Sequence, residues 1–376
     1  MKVLFITNIP SPYRVKFFNE LGKKLNLTVL FEKDSSEERD NSWKKYCFDN
    51  FQGILMKGIR TSINTCFCPE VCRYLSRKWD SIIVADISTP TGMLAIQYMK
   101  LRCIPYWIEG DGGFAKSGHG LKELIKKHFI SGAKGYFSTS NVHDKYYITY
   151  GANPKNIYRY PFTSISSKDL QNAYTLLEKD KNELREKLGM KEKYIVLSVG
   201  RFSYQNGYGK GYDVLMRVAE KSDDNFGFYI VGDEPTEEFK QWKAKKQLKH
   251  VHFIGFRQKE QLAEYYAAAD VFALLSRGEA WGLVINEAMT FSLPIIASDQ
   301  CVAATELVKN GVNGYVLPLD NEDEITEKIK DCAQLPHRQR MGKASLGIIE
   351  SYTIEHMAEA HEKILGMIGS DLMCSS

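Results

Sequence analysis

The chain has 376 residues, of which 44% are hydrophobic, 26% charged and 12% aromatic, with 28 Gly and 11 Pro. At about 100–200 residues per domain, this length predicts two domains, and the ordinary composition excludes a disordered chain, a collagen-like repeat and a disulfide-stapled miniature. The net charge of +4 is unevenly spread: residues 1–165 hold 24 Lys and Arg against 14 Asp and Glu, and the remainder 26 against 32. A basic front half is suited to anionic lipid or an anionic acceptor. A nucleic-acid partner is not expected.

The first half alternates short apolar runs with amphipathic stretches. Strands are predicted at 3–7, 27–31, 81–85, 105–108 and 135–138, with helices over 13–25, 92–101 and 121–131. The alternation implies βαβ units, a parallel sheet and helices on both faces. Residues 163–190 are polar and charge-rich and read as a linker turning into a helix that ends near Gly189. A second series follows, with strands at 195–199, 227–231, 251–254, 271–275, 294–297 and 314–316. Helices fit between them at 212–221, 237–246, 259–268, 283–290 and 305–309, and a last amphipathic helix at 352–368 is placed to pack back on the first domain.

The expectation is α/β: two Rossmann-like domains with parallel sheets facing a cleft. The first spans 1–165 plus the C-terminal helix 351–376, the linker spans 166–190, and the second domain spans 191–350. No run of about 18 or more apolar residues is present to cross a membrane. The apolar start stops at Asn8, too short for a signal-peptide core, so a cytosolic location is expected. Cys66, Cys68 and Cys72 cluster, but their spacing fits neither a C-x2-C pair nor a zinc pattern, so reduced thiols and no metal site are expected.

The stretch 276–299 carries the most chemistry. A buried strand runs into a loop with Gly278 and Gly282, and a helix begins near Leu283. Unpaired backbone N–H groups at a helix start, approached over a glycine, favour phosphate. Glu279 lies in the loop and Glu287 eight residues later in the helix, so both carboxylates can accept hydrogen bonds from the hydroxyls of one extended ligand. Upstream, a strand ends at Gly200, followed by Arg201, a glycine-rich loop with Gly207, Gly209 and Gly211, and Lys210 before a helix. A guanidinium and an ammonium at a strand's C-terminal edge suit a diphosphate.

Taken in order, VGR…KG, IVGDEP, the IGF turn before AAADVF and E-x7-E within EAWGLVINEAM resemble the retaining glycosyltransferases of family 4, which have the GT-B fold. The match covers residues 194–317, and ASD…VKNGVNGYV follows in the family's order. The resemblance implies a nucleotide-sugar donor on the second domain, a UDP-sugar above others. Arg201 and Lys210 would hold the diphosphate together with backbone N–H groups at Gly282, Leu283 and Val284, beside the strand end at Gly200. Glu287 would bind the ribose and Glu279 the donor sugar near the reacting carbon. Phe256 and Arg257 fall where the family places its base pocket.

The front domain departs from the family. Many members carry a double-glycine loop after the first strand, whereas this chain has Asn8-Ile9-Pro10-Ser11-Pro12-Tyr13-Arg14. Its SPYR segment resembles one subset and makes Tyr13 and Arg14 candidate acceptor or phosphate contacts. Where a histidine is common in the family, the chain reads PYWIEGDGG and offers Glu109 as a catalytic candidate and Asp111 on the acceptor side. Leu121, Leu124, Ile125 and Phe129 of the basic segment 121–134 are expected to pack mostly inward, leaving Lys122, Lys126, Lys127 and His128 as a positive edge.

The resemblance thus implies a metal-independent hexosyltransferase acting with retention, with no cofactor beyond the donor. Its acceptor would be a glycan or a lipid-linked glycan in cell-surface polysaccharide synthesis, such as capsule or O-antigen, with peripheral association at the inner membrane. The alternatives are a GT-B nucleotide-sugar epimerase and a non-catalytic, nucleotide-sugar-binding partner subunit. A dehydrogenase is disfavoured because neither first βα turn has the dinucleotide fingerprint.

Overall fold

A computed structural model describes residues 1–34, 46–62, 65–115, 118 and 120–371, with side chains through residue 367. The chain divides into two units, Met1–Ser164 with Thr353–Ser376, and Ile165–Tyr352.

Among the described residues, the first unit has strands β1 (Lys2–Thr7), β2 (Asn26–Phe31), β3 (Gln52–Leu55), β4 (Ile59–Arg60), β5 (Cys66–Phe67), β6 (Ser81–Val84), β7 (Trp107–Glu109), β8 (Gly135–Ser138) and β9 (Ile157–Arg159). Its helices are α1 (Pro12–Gly22), α2 (Pro90–Leu101), α3 (Leu121–Ile130) and α4 (Asn141–Thr149). One sheet runs β3-β2-β1-β6-β7-β8-β9 with every neighbouring pair parallel, while β4 and β5 form a small antiparallel pair. Parallel strands are covered on both faces, which is why β1 reads as an unbroken apolar run from Val3 to Ile6, all buried. Helix boundaries follow local chemistry. Pro12 opens α1 and Pro90 opens α2, the Thr89 side chain caps Gly92 N–H, and Ser140 caps the start of α4.

The second unit is built from β10 (Tyr194–Val199), β11 (Phe226–Val231), β12 (Val251–Gly255), β13 (Val271–Leu274), β14 (Ile295–Ser298) and β15 (Gly314–Leu317). Its helices are α5 (Ser167–Leu177), α6 (Lys181–Leu188), α7 (Tyr212–Glu220), α8 (Glu237–Lys245), α9 (Lys259–Ala268), α10 (Leu283–Thr290), α11 (Val302–Leu307), α12 (Glu322–Ala333) and α13 (Leu335–Ile349). The sheet order is β12-β11-β10-β13-β14-β15, again wholly parallel. The last helix, α14 (Ile354–Asp371), returns to the first unit and lies on α1. It buries Ile354, Met357, Ala358, Ile364 and Leu365.

The stretch 166–190 holds two helices of the second unit, the second ending at Gly189 as expected. Ser166 and Asp169 form a reciprocal capping box that starts α5, and Gly189 closes α6 in the left-handed conformation at φ 70°. Both helices pack on α9. Their composition is polar because only Leu170, Ala173 and Leu184 face inward. One expectation changes, and it concerns α3. Leu121 is 74% exposed, Leu124 61% and Ile125 39%, so these side chains point outward and only Ile130 is buried. No helix among the described residues is long and apolar enough to cross a membrane.

Candidate functional site

In an open parallel sheet the crevice beyond the carboxyl ends of the strands, where the strand order reverses, is the natural place for a ligand. In the second unit this point lies between β10 and β13, and both strands run there into the loops singled out by sequence. After β10 come Gly200 and Arg201, both partly exposed. The following turn is held by Asp233, whose carboxylate accepts the N–H groups of Phe202 and of Ser203, the latter at 3.1 Å. Gly211, at φ 69°, ends this loop. A Cβ there would sit 1.8 Å from the Leu275 carbonyl oxygen, so only glycine allows the loop to close against the end of β13.

The β13 side is equally constrained. Gly282 precedes α10 at φ 104°, and a Cβ on it would meet the Cys301 sulfur at 2.8 Å. Leu283 and Val284 open α10 with half-buried side chains. First-turn N–H groups have no intrahelical acceptor and sit at the positive end of the helix dipole, which suits an anion. The backbone of Glu279 is fixed by Glu279 N–H to Gln300 O at 2.9 Å and by Val302 N–H to Glu279 O at 3.3 Å.

These two loops bring the Lys210 ammonium into a direct ion pair with the Glu279 carboxylate, both groups about one-fifth exposed. Glu287 lies half-buried one turn into α10 and accepts the Tyr266 hydroxyl at 3.0 Å. Burial and the Glu287 charge together raise the Tyr266 phenol, so it remains a donor. A bracket that sequence reasoning missed locks the loops together. Arg277 grips Asp213 with Nη1 at 2.7 Å and Nη2 at 2.9 Å, and also donates to Tyr208 O at 2.7 Å. Arg217 adds a further bond to Asp213 at 3.0 Å. Burial opposes the Asp213 charge, but the two guanidiniums hold its carboxyl below the ordinary range. Phe256 and Arg257 follow β12, with β11 and β10 between them and β13, about 14 Å away in strand spacings. Phe256 is 56% exposed, and the Arg257 guanidinium lies over the Tyr265 ring at 5.9 Å.

In the first unit the structure separates the expected residues. Arg14 is 4% exposed and Glu109 1%, and they form a two-pronged ion pair at 2.7 and 3.2 Å. The Arg14 guanidinium lies among the rings of Phe5, Phe17 and Phe18 at 5.1–5.4 Å. Tyr160 donates to Glu109 at 3.0 Å, and His361 of α14 approaches the same oxygen at 3.8 Å. Burial alone would raise the Glu109 carboxyl, but Arg14 outweighs it and holds the group below its ordinary value. Glu109 and Arg14 are therefore buried and paired with each other, with Tyr160 a further partner of Glu109. Tyr13 is half-buried with its ring edge-on to Phe162 at 6.1 Å. Asp111 reaches solvent, yet dense surrounding protein, with Asp86 and Glu109 adding to it and Arg14 opposing, pushes its carboxyl up to about 7. Among the described residues no three His, Cys, Asp or Glu side chains are grouped to hold a metal ion.

The family model described as "Glycosyl transferases group 1" matches residues 180–346. Over that range the second unit is similar to the group 1 glycosyl transferases. The β10 and β13 loops all fall inside the matched range. An uncharacterized 41.2 kDa protein of the cps region of Klebsiella pneumoniae is 28% identical over 174 residues, 46% of this chain and 45% of that protein. The amylovoran biosynthesis glycosyltransferase AmsD of Erwinia amylovora is 28% identical over 192 residues, 50% of this chain and 49% of its own. The chain thus spans about half the length of the curated relatives it matches. Among solved structures, Anabaena HepE in complex with UDP superposes with a TM-score of 0.74 at 17% identity, covering 100% of both chains. At that identity the likeness carries the fold, which is GT-B.

Proposed function

We propose that the chain is a retaining, metal-independent glycosyltransferase that moves a sugar from a UDP-sugar to a glycan or lipid-linked acceptor in cell-surface polysaccharide synthesis. The observation that carries this reading is the meeting of Lys210, Glu279 and the start of α10 at the switch point of the second unit. UDP is favoured over other nucleotides because the similar HepE structure holds it. The polysaccharide context rests on the cps-region and amylovoran relatives.

In the proposed reaction the acceptor oxygen bonds to C1 of the donor sugar on the face the diphosphate leaves. The C1–O bond breaks and its electron pair goes to the diphosphate. The acceptor's proton passes to a departing phosphate oxygen, so the balance closes without a protein base. Arg201, Lys210 and the N–H groups at Gly282, Leu283 and Val284 stabilise the growing negative charge, each well-placed donor contributing roughly 3–4 kcal/mol. Glu287 binds the ribose, with Tyr266 fixing its carboxylate, and Phe256 and Arg257 flank the base. Glu279, already paired with Lys210, takes the sugar hydroxyls and is not a covalent nucleophile. On the acceptor side Tyr13 and Asp111 are the accessible candidates. Peripheral binding at the cytoplasmic face of the inner membrane is supported by α3, where Leu121, Leu124 and Ile125 stand exposed among Lys122, Lys126 and Lys127.

The test is a panel of nucleotide sugars scored for nucleotide release, with and without chelator. Turnover of one UDP-sugar that is insensitive to chelator is expected. Loss of turnover with chelator refutes the metal-independent account. Interconversion of free nucleotide sugars without transfer or hydrolysis refutes the transferase.

A further inference from the structure

At the amino end of β13, on the sheet edge opposite the donor loops, Asp270 is fully buried and carries three cations. Lys181 Nζ approaches Asp270 Oδ1 at 3.0 Å, Arg185 Nη2 approaches Oδ2 at 2.5 Å, and Arg338 Nη1 binds Oδ1. The same carboxylate also accepts the Ile195 N–H at 2.8 Å. One negative charge therefore faces three positive ones, an excess that a simple structural clasp does not need.

The excess is directed at a cavity. Beside the cluster lies a pocket of about 170 Å³ whose polar lining is Lys179, Lys181, Ser292, Arg338 and Gln339, with no carboxylate, and whose remaining wall is leucine, alanine and phenylalanine. Arg338 uses only Nη1 within the protein, which leaves Nε and Nη2 without a protein acceptor among the described residues. Lys181 spends two of its three N–H bonds, on Ala269 O and Asp270. Their side chains are 22% and 34% exposed, so the remaining donors are reachable from solvent.

We propose that this pocket is a second ligand site, separate from the donor loops, that takes a small phosphate-type oxyanion between Lys181 and Arg338. A guanidinium edge and an ammonium converging on one pocket give the fork and point charge that phosphate oxygens accept. The pocket has room for a phosphate group. Burial and the neighbouring Arg185 and Arg338 push the Lys181 ammonium down to about 8, against the pull of Asp270. A bound anion would relieve that crowding.

The site is independent of the donor assignment, and its test keeps the two apart. Inorganic phosphate is titrated calorimetrically at constant ionic strength into the full chain, into Lys210→Ala, Arg338→Gln and Lys181→Gln, and into Arg338→Lys as a charge-preserving control. Folding of each variant is checked by its melting curve. Phosphate affinity unchanged in Lys210→Ala, at least tenfold weaker in Arg338→Gln and Lys181→Gln, and partly retained in Arg338→Lys establishes the site. Absence of binding at millimolar phosphate overturns it, as does equal affinity in the wild type and Arg338→Gln.

Discussion

Lys210 and Glu279, 69 positions apart in the chain, form an ion pair where the loops after β10 and β13 meet. The pair holds the ammonium against a carboxylate whose own Cγ lies 3.4 Å from where a Cβ on Gly282, just before α10, would stand. Lys210→Ala should lower kcat/KM by about 100- to 1,000-fold, the effect of losing one charge-stabilising donor, while Lys210→Arg should recover part of the loss. Steady-state kinetics with the best donor from the panel measures it. A loss of only a few-fold removes Lys210 from the diphosphate.

Glu287 and Tyr266 make a graded prediction. Deleting the carboxylate in Glu287→Ala should raise donor KM about tenfold and change kcat little, because a ribose contact is made equally in ground and transition states. Tyr266→Phe removes only the 3.0 Å hydrogen bond and should raise KM about fivefold, in line with a net hydrogen bond of about 1 kcal/mol. An effect confined to kcat in both variants would contradict the assignment.

The buried Arg14–Glu109 pair makes a prediction of its own. Removing one partner of a buried ion pair strands the other charge and costs about 3–5 kcal/mol. Glu109→Gln should therefore lower the urea midpoint of the first unit strongly, while folded protein keeps kcat within a few-fold. A catalytic role would show the reverse pattern.

The buried histidines each make a contribution to stability that weakens in acid. Burial pushes His361 down to about 4, against the pull of Glu109, and His143 down to about 3, whereas an unfolded histidine titrates near 6.5. Between these values each histidine binds a proton in the unfolded chain that it does not bind in the folded one, so its contribution to stability falls as pH falls. Each histidine contributes a slope of about 1.4 kcal/mol per pH unit below about 6.5. Glu109, whose folded carboxyl is depressed, adds a further loss at lower pH. Asp111 and Glu32, whose folded carboxyls are pushed up to about 7, act with the opposite sign over this range. Denaturant melts from about pH 4 to 8 are therefore read as a difference: relative to wild type, His361→Leu should lack about 1.4 kcal/mol per pH unit of acid loss below about 6.5. An unchanged slope rules His361 out.

Much of this was legible in the sequence, for physical reasons. Strands such as β10 and β13 are covered on both faces, so each appears as a bare apolar run. The donor loops announce themselves through glycines that only a close backbone approach requires. Strand β3 was invisible because it is a half-exposed edge strand with a central glycine, and β9 because it has only three residues. Long-range pairing was hidden altogether. Nothing local in SPYR or WIEGD tells that Arg14 and Glu109 join across 95 positions, or that Arg277 meets Asp213 across 64.

The outward face of α3 predicts binding to vesicles containing anionic lipid, weaker by severalfold in Leu124→Ser and in a Lys126→Gln, Lys127→Gln double variant. Co-sedimentation measures this, and equal, negligible binding to anionic and neutral vesicles removes the membrane from the account.

The central claim is retention by a donor-held diphosphate, and it needs no knowledge of the acceptor. Proton NMR of the sugar first released when the enzyme hydrolyses an α-linked UDP-sugar, read before mutarotation, reports the face of attack. The account predicts the α-anomer, at a rate that collapses in Lys210→Ala. First-formed β-anomer, or release unaffected by that substitution, would contradict it.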